Sequence, residues 1–118
     1  MISVADVTTS SDWYERVLAT TSGHGGPDYE QLYIDGQMIL QLHRADLGHH
    51  HGTIGDPDQP FGNGVAIWFE VDDFEAIVAN VRAVDARSET DVHVNPNAGH
   101  RELWLRDPDS YLVVIAEP

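Results

Sequence analysis

Seven histidines in 118 residues raise the first chemical question. They are His24, His43, His49, His50, His51, His93 and His100, and three run consecutively in ADLGHHHGTIGDPDQP, residues 45–60. An imidazole ligates metal, moves a proton near neutral pH, or stays solvated. If the loop folds back, His43, His50 or His51, His100 and Glu102 can converge as a metal centre. Three nitrogens and a carboxylate suit Zn, Fe or Mn. Adjacent histidines on an extended chain cannot all aim at one point, so at most one or two of the triplet would serve. Without metal, His43 and Glu102 are candidate catalytic acid–base groups, or simple hydrogen-bonding groups of a pocket. A Gly-flanked triplet can also be no more than a solvated loop. His24, in TSGHGGPD, is expected in an exposed loop. Glu70 is a candidate base if the neighbouring indole raises its pKa, or else a rim carboxylate.

The elements that must position these groups are legible from periodicity. ISVADVTTSSDWYERVLA reads as a short strand, an Asp, polar capping residues and a helix. On that helix Trp13 and Val17, and Tyr14 and Leu18, are four apart and share an apolar face. VAIWFEVDDFEAIVANVRAV repeats the plan: a strand over 65–71, then Phe74, Ile77, Val78 and Val81 at helical spacing. Asp72 with Glu75 reads as its capping box. Further strands are expected near 20–22 and in YEQLYI, QMILQLH, TDVHV, RELWLR and YLVVIA. Asp35-Gly36 signals a hairpin, and Pro108 fits the second position of a tight turn in RDPDSY. The fold class is thus α+β, with two βαβββ modules: module one at 1–43, a linker loop at 44–64, and module two at 65–118, together one domain. Such modules have one sheet face covered by the helix and one open, so two mixed curved sheets can enclose a cleft.

Twenty acids stand against six Arg and no Lys, a formal net charge of -14. This surface repels phosphate backbones and anionic bilayers, so neither nucleic acid nor a membrane is an expected partner. No apolar run reaches the roughly 18 residues of a membrane span, and the start has no signal-peptide pattern. There is no Cys. The expected setting is a reducing one, the cytoplasm.

VADVTTSSDWYERVL, GNGVAIWFEVDDFEAIVANVRA and RELWLRDPDSYLVVIAEP together span nearly the whole chain. In these the sequence resembles the vicinal oxygen chelate superfamily, also called glyoxalase/bleomycin-resistance/dioxygenase. Asp-Pro-Asp-x-Tyr before a terminal apolar strand is the most specific part. The chain departs from the pattern at Ser110 and at Ala19, where the family usually has Gly to ease a positive φ. Local strain or a different turn is expected at both.

Metalloenzymes of that family hold one divalent ion through four strand positions. By resemblance, the first falls before residue 1, the second on Gln41, the third on Ala66 and the fourth on Val114. Alanine and valine cannot ligate, and one amide does not hold a divalent ion. A two-residue slip would substitute Trp68 or Glu70, and Leu112 or Ala116, without restoring the set. Strand alternation then lines the pocket: Ile39, Gln41 and His43, Ala66, Trp68 and Glu70, and Leu112, Val114 and Ala116. The family geometry adds Glu102, Trp104 and Arg106. Gln41, His43, Trp68, Glu70, Glu102 and Trp104 are the expected ligand-binding residues. They suit a small organic ligand with an aromatic or cationic part.

The resemblance leaves two functions open. One is a small-molecule-binding protein of the bleomycin-resistance type, lacking the usual metal site and needing no cofactor. The other is a metal-dependent lyase, isomerase or dioxygenase with a relocated His/Glu site. A homodimer is expected in either case.

Overall fold

The computed structural model describes residues 1–46, 58, 60–62, 65–96 and 98–118. The chain divides into two compact units, Met1–Phe61 and Gly62–Pro118. Each carries one α-helix and one four-stranded mixed sheet in the order βαβββ. No helix among the described residues is long and apolar enough to cross a membrane.

The first unit contains β1 (Ile2–Val4), α1 (Val7–Leu18), β2 (Thr21–Gly26), β3 (Tyr29–Ile34) and β4 (Gln37–Arg44). Its strand order is β1-β4-β3-β2, with β1 parallel to β4 and the other pairs antiparallel. Helix α1 starts at Asp6, whose carboxylate accepts from Thr9 N at 2.7 Å, satisfying one of the donors a helix start leaves open. Trp13, Tyr14, Val17 and Leu18 are buried as their spacing requires, and so are Val4, Leu32, Leu40 and Leu42. Strand β4 is eight residues of alternating type. The pairs Leu42–Glu30 and Leu40–Leu32 occupy one face of the sheet, and His43–Tyr29 and Gln41–Gln31 the other. The Asp35-Gly36 hairpin has both residues at positive φ, 49° and 77°, the requirement of its turn type.

The second unit contains β5 (Ala66–Glu70), α2 (Phe74–Ala83), β6 (Ser88–Val94), β7 (Arg101–Arg106) and β8 (Leu112–Ala116). Its strand order is β5-β8-β7-β6, with β5 parallel to β8. Leu103, Leu105, Val113 and Ile115 are fully buried, and Phe74, Ile77, Val78 and Val81 of α2 are buried with them. Val78 and Val81 line one cleft with Leu103, so the helix stripe lies on that face. Residues on the opposite face are Ala66, Trp68, Glu70, Val114, Ala116, Glu102 and Trp104.

The cap of α2 corrects the sequence expectation. Asp73, not Asp72, accepts from Ala76 N at 3.0 Å. Glu75 instead pairs with Arg101 at 2.7 Å, and the Arg101 guanidinium also sits over the Phe74 ring and holds Glu117. A long-range partner of full charge outcompetes the local backbone N–H. At its other end α2 stops with Asp85 N bonded to Arg82 O and Ala86 N to Val81 O, with Asp85 at φ 50°, a Schellman ending built on Asp in place of Gly.

The two departures from the family pattern are strained as expected. Ala19 has φ 56° and Ser110 φ 67°, the left-handed region that costs a residue with a Cβ roughly 1–2 kcal/mol. Pro108 takes the second position of a turn closed by Ser110 N to Asp107 O at 2.9 Å. The Asp107 side chain accepts from Asp109 N and Tyr111 N. Gly62 packs on this turn. It has φ 73°, and a Cβ there would fall 2.7 Å from Ser110 O.

Candidate functional site

The second sheet gathers the chemistry. Glu102 on β7 is 0% exposed, and its carboxylate accepts three hydrogen bonds. Oε1 takes Asn95 Nδ2 at 2.6 Å and His100 Nε2 at 2.8 Å, and Oε2 takes Trp104 Nε1 at 2.9 Å. His93 Nε2 stands 3.8 Å from Oε2. Burial alone would raise the Glu102 pKa. The donors Asn95, Trp104 and His100 outweigh it and hold the carboxyl below the usual range. An ionised carboxylate, which only accepts, matches N–H donors on both of its oxygens.

Local structure explains the gathering. The β6–β7 connection is closed by Asn95 N to His100 O at 2.9 Å and Gly99 N to Asn95 O at 2.8 Å. Asn95 and His100 thus flank the hairpin mouth. Between Thr90 and His93 the β6 register shifts. This bulge adds one residue to β6 and places His93 opposite Glu102 and Thr90 opposite Trp104. Two aromatic contacts complete the cluster. Trp68 meets His100 with ring centroids 5.9 Å apart at 63°, and Trp104 meets His93 at 6.1 Å and 64°. Trp68 is 48% exposed, a large apolar surface left beside a buried charge. Glu70, two residues on, is exposed.

In the first unit, His43 is buried, with Nδ1 at 2.9 Å from Arg44 O. Its strand partners are Ser3 and Tyr29. Gln41 reaches the Tyr29 hydroxyl at 3.5 Å, and the Tyr33 hydroxyl donates to Gln31 at 2.7 Å. This face offers amide, phenol and imidazole hydrogen-bonding groups.

The sequence-derived residues thus fall into two sets. His100 and Trp104 each bond to Glu102, and Trp68 lies against His100, all in the second unit. Gln41 and His43 share the face of the first sheet that carries Tyr29. His50 and His51 lie outside the described residues. His24 corrects an expectation: it is exposed, but in strand β2 and not in a loop, paired with Gln31. Asn95 and His93 are partners of Glu102 that the sequence reading did not single out.

Two of the strand positions that the resemblance assigns to metal ligands carry no ligating side chain. Ala66 lies opposite Leu112, and Val114 opposite Trp68 and Trp104, so neither position offers a donor atom. The one carboxylate buried on that face is already enclosed by N–H donors, which a cation would have to displace. Among the described residues no three His, Asp or Glu side chains gather so as to hold an ion.

No protein-family model matches the chain, and no curated protein matches it. Solved structures do. A glyoxalase-related enzyme from Fulvimarina pelagi superimposes with a TM-score of 0.77 at 14% identity, over 99% of this chain and 84% of the other. The bleomycin resistance determinant encoded on transposon Tn5 gives 0.74 at 15%, over 98% and 92%. A lactoylglutathione lyase from Agrobacterium tumefaciens gives 0.71 at 20%, over 98% and 88%. With two βαβββ modules of this topology, the chain has the glyoxalase/bleomycin-resistance fold.

Proposed function

We propose that this is a small-molecule-binding protein of the glyoxalase/bleomycin-resistance type that works without the usual metal ion. Its ligand is a flat aromatic molecule with a polar or cationic part. The observation that carries this reading is the Glu102 nest: a charged, fully buried carboxylate ringed by His100, Asn95 and Trp104, beside the half-exposed indole of Trp68. An exposed indole supplies stacking surface, and the nearby fixed charge rewards a cation or polarised donor. The strand positions that would hold an ion carry Ala66 and Val114, which further supports binding without metal.

Calorimetric and thermal-shift titration against matched flat aromatics of positive, neutral and negative charge tests the reading. Cationic and neutral members are expected to bind and to lose roughly tenfold or more on Trp68→Ala, about the 1.4 kcal/mol or more that a stacking anchor contributes. Binding restricted to anions, or unaffected by Trp68→Ala, would remove the site from this face. A homodimer in the cytoplasm is part of the same proposal, with sedimentation as its check.

A further inference from the structure

His100 has two ring nitrogens, and among the described residues only one of them has a hydrogen-bond partner. Nε2 faces Glu102 Oε1 at 2.8 Å. Glu102 already accepts from Asn95 and Trp104 and is an anion, so the proton of a neutral imidazole must sit on Nε2. That leaves Nδ1 as a lone-pair acceptor. Among the described residues Nδ1 takes no hydrogen bond. The two nitrogens of an imidazole point in divergent directions. With Nε2 held to a buried carboxylate, Nδ1 points away from it, consistent with the side chain being 24% exposed. The ring is further fixed by Trp68 at 63°. An exposed indole and a part-exposed imidazole, whose Nδ1 this tautomer leaves as an acceptor, therefore share a corner of the second sheet.

We propose that His100 sets the specificity of this site: its Nδ1 accepts a hydrogen bond from an N–H or O–H on the edge of the aromatic ligand. The site thereby selects phenol-like and N–H heteroaromatic compounds over analogues whose donor is capped by methyl. The proposal rests on the reading of Trp68 as a stacking surface, and adds the chemistry that the ligand must present. Glu102 acts here as a positioning residue. It fixes which nitrogen carries the proton and never touches the ligand.

The test uses the full chain and two matched probe pairs, indole with N-methylindole and naphthol with its methyl ether, titrated at neutral pH by NMR and calorimetry. The donor member of each pair is expected to bind roughly five- to tenfold more tightly, the scale of one net hydrogen bond. Nitrogen-15 shifts are expected to show an Nε2–H tautomer in the free protein and an Nδ1 shift that responds to indole and not to N-methylindole. His100→Phe should bring the indole affinity down to that of N-methylindole. Equal binding of both members overturns the proposal while leaving the aromatic site standing. Absence of binding by any probe overturns both. Discrimination that persists in His100→Phe places the acceptor elsewhere and also overturns it. Should His100→Phe not fold, the wild-type nitrogen shifts decide alone: an Nδ1–H tautomer, or an Nδ1 shift indifferent to the donor, overturns it.

Discussion

Glu102 pairs complete burial with a carboxyl held in its charged form, and that combination has a pH consequence. A carboxyl whose pKa falls on folding stabilises the folded state fully above its unfolded value, ~4.3. It withdraws that contribution as pH falls through the lower folded value. Its direction is downward here, with burial opposed and outweighed by the donors, so the loss belongs to the acid side, below about pH 4.3. Urea midpoints measured from pH 7 to pH 3 should show this loss, and Glu102→Gln should flatten it. At pH 7 the same substitution should lower stability by about 1–3 kcal/mol, since three N–H donors would meet an amide that accepts at only one end. The family resemblance made Trp104 legible as facing inward, and a period of two carried Glu102 to the same face. His93 and Asn95 were not, since both depend on the hairpin. A bulge between Thr90 and His93 shifts the register by one, and such an insertion carries no sequence mark as plain as Gly or Pro. His100 was legible as a polar neighbour of Glu102; the nitrogen it leaves open depends on geometry alone.

Among the elements, helix starts and ends gave mixed results. Both helices were recognised from apolar spacing, and YEQLYI and RELWLR became β3 and β7 with the bounds expected. The α2 cap was read one residue early, because Glu75 fits a capping box in sequence but meets Arg101 in space. Asp73→Ala should therefore cost about 0.5–2 kcal/mol in thermal or urea unfolding, and Asp72→Ala close to nothing. Ala19 and Ser110 offer the opposite experiment. Each holds a positive φ that glycine adopts without strain. Ala19→Gly or Ser110→Gly relieves that strain but adds entropy to the unfolded chain, with a net gain of roughly 0.5–1 kcal/mol expected. A higher melting temperature for either variant checks it; a lower one would show that the surrounding turn needs the Cβ.

At the scale of the molecule, a formal charge of -14 repels itself. Added monovalent salt should raise the melting temperature between 0.01 and 0.3 M, as the screening length shrinks from about 30 Å to under 10 Å. The same salt should weaken cationic aromatics more than neutral ones, which separates the general field from the Glu102 corner. Elemental analysis of tag-free protein should find no stoichiometric Zn, Fe or Mn, and chelators should leave stability unchanged. One ion per chain would sink the metal-free proposal. The distribution of the three tryptophans has a practical result. Trp13 is buried in α1 against Tyr14, while Trp68 and Trp104, both in the second unit, each lean on a histidine of that same unit. Their emission therefore divides by environment. A blue component reports whether the first module is intact, and a redder one, from Trp68, reports what settles beside His100. The protein carries its own optical reporter, without a label.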